Sequence, residues 1–151
     1  MPHPTALAPL DGFVGTWRVT GRNLDGAPLA AGAAVSGIES YEWLPGGFFL
    51  SYRWHRCFGS AEHQGLGVLA SEAPEGRCSA RFYDDLGFAR RYDGTVQEGR
   101  LVLAGAWERA TIELSDDGAT MYIHWDRSSD GTTWLPLCEL TGTRLTRGAA
   151  A

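Results

Sequence analysis

The stretch FVGTWRVTG, Phe13 to Gly21, decides the fold. It reads as a strand, with Trp17 and Val19 on one side and Thr16, Arg18 and Thr20 on the other. A large indole stands two residues after a glycine, at the very start of the first apolar-alternating segment. Working outward, turn signals recur at short intervals. Asp-Gly occurs five times, at Asp11, Asp25, Asp93, Asp117 and Asp130, and LPGG (Leu44 to Gly47) and PEG (Pro74 to Gly76) add further breaks. Between them lie short runs rich in Val, Ile, Thr, Tyr, Phe and Trp, the pattern of antiparallel hairpins. No segment of useful length carries a helical period.

The expected strands are 13–22, 33–43, 48–58, 64–71, 77–84, 87–95, 100–108, 110–115, 119–128 and 133–145. About ten strands follow one another without a linker or a long crossover. A meander of that length closes on itself to remove its edges, so the sequence predicts an all-β, closed up-and-down antiparallel barrel. One domain over 1–151 is expected, with loose tails at 1–9 and 147–151.

Bulk composition narrows the function classes. The 151 residues carry a formal net charge of -5, and the longest basic run is Arg90-Arg91. A nucleic-acid partner, which needs a basic face, is not expected. All 13 basic residues are arginine, which excludes lysine Schiff-base chemistry and a P-loop lysine. Three widely spaced cysteines, Cys57, Cys78 and Cys138, read as free thiols of a reducing compartment. No signal-peptide pattern or apolar span appears at the start or elsewhere, so a cytoplasmic protein without a membrane partner is expected. The oligomeric state stays open, a homodimer included.

Alternation assigns faces. Taking the more apolar side of each strand as internal gathers Tyr41, Trp43, Tyr52, Trp54, Phe82, Phe88, Tyr92, Trp107, Ile123 and Trp125 inside the barrel. Four polar groups, Glu39, Arg56, Asp84 and Arg90, accompany them. An apolar, aromatic cavity with a few convergent polar groups suits a small molecule; the alternative is that the rings simply pack and the charges pair. Tyr41, Tyr52, Trp54, Arg56, Phe82, Phe88, Tyr92, Trp107 and Trp125 are the expected ligand contacts. Glu39 and Arg90 are the candidate catalytic pair. Glu39 either pairs with Arg56 or Arg90, or polarises a bound carbonyl or accepts a proton; Arg90 offers a fixed fork of donors. The last strand, CELTGTRL, carries one further arginine, Arg144.

These residues carry a resemblance. G-x-W at the head of the first strand, with an arginine in the last, resembles the calycin superfamily of lipocalins, fatty-acid-binding proteins and nitrobindin-like barrels, in which the Trp plugs one end and packs on that arginine. The order GTW, LPGGFFL, GLGVL, RFYDDLG, YDGTVQEGRLVLAG, WDRSSDGTTW, TR is also similar to the bacterial DUF1579 family. The resemblance implies a lipocalin-like barrel whose base is plugged by Trp17, with Arg144 in the place of the arginine that stacks on it. Two departures stand out. Residues 23–34 are too short and glycine-rich for the helical lid of fatty-acid-binding proteins. Nitrobindins hold haem through a late-strand histidine, and His124, the nearest match, is expected on the outer face.

The histidines show no H-x-H or HExxH pattern and no His/Cys cluster, so no metal site is expected. His3 lies in the tail, His63 in the GSAEHQ loop, and His55 and His124 on the polar faces of their strands. No cofactor is expected. The reading is a barrel that binds a small, mostly hydrophobic or aromatic ligand. The alternative is a cofactor-independent isomerase, cyclase or lyase working by acid–base chemistry in the same cavity, and a haem barrel ranks last.

Overall fold

The computed structural model describes residues 5–28, 30–72 and 74–148. A 3-10 helix, η1 (Thr5–Phe13), leads into ten strands: β1 (Gly15–Asn23), β2 (Ala34–Trp43), β3 (Phe49–Phe58), β4 (Ala61–Glu72), β5 (Arg77–Asp84), β6 (Ala89–Gln97), β7 (Arg100–Ala104), β8 (Glu108–Leu114), β9 (Thr120–Ser128) and β10 (Trp134–Arg147). Every strand pairs antiparallel with its neighbours in sequence, and β1 pairs with β10, so the sheet is a closed up-and-down barrel. No helix among the described residues is long and apolar enough to cross a membrane.

The residues expected to form a loose N-terminal tail instead form structure from Thr5 onward; residues 1–4 lie outside the described residues. A 3-10 helix repeats every three residues, so Leu7, Leu10 and Phe13 fall on one face, and all three are fully buried. They plug one end of the barrel. At the other terminus Arg147 completes β10 and the Gly148 amide donates to Val14 O at 3.5 Å; residues 149–151 lie outside the described residues.

Trp17 sits against this plug with no exposed surface. Its indole N–H donates to Phe13 O at 2.9 Å, tying the strand to the helix. The Arg144 guanidinium lies 4.2 Å above the indole ring and donates to Val14 O at 2.8 Å and Gly118 O at 3.0 Å, with a further bond to Gly12 O. The register of β1 against β10 slips between Thr16 and Trp17, where Leu145 is the extra residue, and this bulge sets Arg144 opposite Trp17.

The interior divides by chemistry. Around the plug it is apolar, with Leu50, Leu69, Leu101, Leu103, Ile112 and Met121 buried along with Trp17, Tyr41 and Trp43. Toward the opposite end, where β3, β5 and β9 finish and β4, β6 and β10 begin, it is aromatic and polar.

Candidate ligand cavity

The open end of the barrel holds a cavity of about 430 Å³, within the range of small-molecule sites. Its walls are built strand by strand. On β3, alternation aims Tyr52, Trp54 and Arg56 inward, with Phe58 at the rim. Across from them on β4 stand two glycines, and both are needed. A Cβ on Gly65 would overlap the Trp54 ring and one on Gly67 the Phe82 ring, so each glycine provides the space for an aromatic face. The rings then form a continuous shelf. Tyr52 stacks on Trp54 with centroids 5.3 Å apart, Trp54 meets Phe82 at 5.6 Å, Phe82 meets Tyr92 at 5.0 Å, and Tyr92 meets Trp125 edge-on at 5.7 Å.

Three polar groups are set into this aromatic frame. At the floor, Glu39 is 1 % exposed. Its carboxylate accepts from Arg56 Nε at 2.8 Å and Nη2 at 2.7 Å, and from the Tyr52 hydroxyl. Arg56 also donates to the Tyr52 oxygen at 3.1 Å. Burial disfavours charge on Arg56, but the adjacent Glu39 carboxylate outweighs it and raises its pKa further. Burial, and then the Glu39 charge, hold the Tyr41 and Tyr52 hydroxyls well above their ordinary range. On one wall, Glu108 accepts from Arg90 and, at 3.3 Å, from the Tyr92 hydroxyl. Arg90 lies 4.6 Å from the Phe88 ring centre. On the adjoining wall, built by β4 and β5, the His63 ring receives the Trp54 indole N–H at Nδ1 (3.3 Å), and its Nε2 lies 3.1 Å from Asp84 Oδ2. Burial works against ionising Asp84. The bonds from His63 and from the Phe88 and Leu86 amides prevail and hold its carboxyl below the usual carboxylate range.

The structure sorts the expected site residues. Tyr52, Trp54, Arg56, Phe82, Arg90, Tyr92 and Trp125 line the cavity together, and Phe88 stands at its rim, half-exposed. Glu39 and Tyr41 point inward but lie beneath the floor, outside the lining. Glu39 is held by its ion pair, and Arg90 already has a carboxylate partner, so neither stands free to meet a guest. Trp107 is a correction. β7 ends at Ala104, and Gly105–Trp107 form the turn into β8. The turn resets the alternation, so Trp107 is 54 % exposed and Glu108 takes the inward position.

His63 is the second correction. β4 begins at Ala61 rather than at 64, which moves His63 from a loop to an inward strand position. Counting back in twos from buried Leu69 through Gly67 and Gly65 would have reached it. His124 faces outward as expected, with Nε2 at 2.8 Å from Asp126 and Nδ1 at 3.7 Å from Glu139. The expected absence of any His/Cys cluster is also corrected. On the outer face of the β3–β4 hairpin, donor atoms of His55, Cys57 and Glu62 lie within 4.8 Å of one another, because Cys57 pairs directly with Glu62 in register. His55 and Glu62 are 3.5 Å apart and both exposed.

One donor in the cavity wall has no acceptor. Trp125 is 6 % exposed, and its indole nitrogen is the buried side-chain polar atom left without a hydrogen bond among the described residues. An unsatisfied buried donor costs about 1–3 kcal/mol.

No protein-family model and no curated protein matches the chain. Solved structures do match its fold. The chain is similar to Rv2717c from M. tuberculosis, with a TM-score of 0.75 and 14% identity, covering 96% of this chain and 100% of that one. It is similar to the S-type phycobiliprotein lyase CPES from Guillardia theta, with a TM-score of 0.61 and 13% identity, covering 91% and 90%. It is also similar to a de novo designed fluorescence-activating β-barrel, with a TM-score of 0.50 and 15% identity, covering 93% and 99%. At these identities the likeness is one of fold, a closed β-barrel.

Proposed function

We propose that the chain binds a small, largely aromatic molecule in the open end of the barrel. The cavity of about 430 Å³, shelved by Tyr52, Trp54, Phe82, Tyr92 and Trp125, is the observation that carries this reading. A small barrel can fill its interior with side chains or hold one small ligand, and the aromatic end of this one leaves a cavity unfilled. Here glycines stand at 65 and 67, where larger residues would displace the rings. That barrels of this fold include a fluorescence-activating design and a phycobiliprotein lyase supports the same reading.

The neutral dye N-phenyl-1-naphthylamine tests it. Saturable fluorescence enhancement with one site per chain is expected. Ala27, which lines the mouth from the β1–β2 loop, offers the control: Ala27→Trp fills the entrance without touching a strand and abolishes the signal. No enhancement, or enhancement indifferent to Ala27→Trp, overturns the proposal.

A second reading, an acid–base enzyme acting on the same guest, draws on the His63–Asp84 pair at the cavity wall. It moves the acid–base role from Glu39, which lies under the floor, to an imidazole that a guest can meet. If it holds, His63→Gln keeps dye affinity and loses turnover of whichever bound compound the protein converts. Turnover that survives in His63→Gln excludes it.

A further inference from the structure

We propose that Trp125 and Arg127 form a head-group subsite, and that the ligand is an aromatic acid: a flat apolar body carrying one anionic oxygen group such as a carboxylate. The inference rests on the cavity-binding reading and names the chemistry that reading leaves open.

Two neighbouring donors carry it. The chain finds an acceptor for its other buried indoles: Trp17 donates to Phe13 O, Trp43 to Asp11 Oδ1 and Trp54 to His63 Nδ1. Trp125, in the cavity wall, is the exception. Arg127 lines the same cavity two residues further along β9 and is half-buried. The other two arginines of the lining are each held by a carboxylate, Arg56 by Glu39 and Arg90 by Glu108. Arg127 has no ion pair or side-chain hydrogen bond with any described residue. Its absence of a partner is not for want of a neighbour. Glu108 is its cross-strand pair in the β8–β9 ladder, yet the Glu108 carboxylate turns to Arg90 and Tyr92 instead.

Residues i and i+2 of a strand point the same way, about 7 Å apart along the backbone. In the proposed complex a carboxylate or sulfonate seats in the Arg127 guanidinium fork and also takes the indole N–H; that nitrogen has no exposed surface in this structure, so the guest has to displace the side chains around it to reach it. The apolar body then lies along Phe82 and Tyr92, whose ring centres are 6.5 and 5.7 Å from that of Trp125. The net charge of -5 repels an anion from the molecule as a whole, so any preference for an anionic guest has to arise locally.

Two dyes with one body separate the head group from the rest. 8-Anilino-1-naphthalenesulfonate is N-phenyl-1-naphthylamine with a sulfonate added. Both are titrated into the wild type, Arg127→Gln and Trp125→Phe. The wild type is expected to bind the sulfonate about tenfold more tightly than the neutral dye, the order of one charge-assisted bond. Arg127→Gln, at the rim, is expected to erase that preference and leave the neutral dye within about twofold. Trp125→Phe, which keeps a ring in the wall, weakens the sulfonate selectively. Equal affinity for the two dyes in the wild type, or parallel losses for both in Arg127→Gln, overturns the subsite and leaves the cavity standing. Failure of both dyes to bind overturns the cavity reading and the subsite with it.

Discussion

Glu39 and Arg56 show how one buried charge is made tolerable and what it does there. A carboxylate 1 % exposed needs a partner, and Arg56, 13 % exposed, supplies two donors while Tyr52 supplies a third. The pair stiffens the floor of the cavity rather than reacting in it. Breaking one side of a buried pair leaves the other uncompensated, at a cost of about 3–5 kcal/mol. Because Arg56 reaches the cavity wall, Glu39→Gln is expected at the lower end, about 3 kcal/mol in urea denaturation. The double variant Glu39→Leu/Arg56→Met should recover most of that loss. A double variant no more stable than Glu39→Gln would mean that the pair is not what holds the floor. That Glu39 pairs with an inward arginine was one reading of the sequence, with Arg56 and Arg90 both open as the partner; the adjacency of β2 and β3 decides for Arg56. That Arg90 is held by Glu108 was not legible, because the partner became visible only once the strand break before Glu108 was placed.

Elements explain most of what the sequence hid. Alternation fixes which side of a strand faces in, but only from a known starting residue, and a connection of one length or another inverts the count. Reading β7 through to residue 108 put Trp107 inside; the turn at Gly105–Trp107 puts Glu108 there instead. The alternation along β10 breaks for a related reason. Its register against β9 slips between Pro136 and Cys138, so that Leu137 is an extra residue, and both Leu137 and Cys138 line the cavity. η1 was missed because a three-residue period over Leu7, Leu10 and Phe13 is too short to stand out from a tail.

The turn between β5 and β6 carries a pH dependence. Asp84 accepts from the Leu86 and Phe88 amides and from His63, and its folded pKa lies below the ordinary value of 3.8. Between those two values the unfolded chain binds the proton and the folded chain does not, so stability rises with pH there and is lost on acidification. The denaturation midpoints of wild type and Asp84→Asn are therefore expected to differ at neutral pH and to converge as the pH falls below about 4. A gap that stays constant through that range would show that the Asp84 charge is not what the turn relies on.

At the scale of the molecule the barrel has two ends with separate tasks. The end marked by GTW is a stability device. Trp17, Arg144 and the η1 leucines close it with buried apolar surface, a cation–π contact and carbonyls satisfied by one guanidinium. Closure there lets the other end stay open, because the ladder has no free edge and the strands are held from below. The barrel itself was legible because turn signals and alternation repeat ten times over. The aromatic character of the open end was legible too. Its polar groups and its unpartnered donors on β9 depend on register and on which way individual side chains turn, which no strand pattern specifies.

The indole N–H resonances of the six tryptophans test this division most directly. Trp54 and Trp125 line the cavity, Trp17 is sealed in the base, and Trp107 is on the surface. In a ¹H–¹⁵N correlation spectrum titrated with N-phenyl-1-naphthylamine, the Trp54 and Trp125 indole peaks are expected to shift saturably while those of Trp17 and Trp107 hold still. Indole peaks of Trp54 and Trp125 that stay in place, or a response led by Trp107, would contradict a ligand cavity at the open end of the barrel.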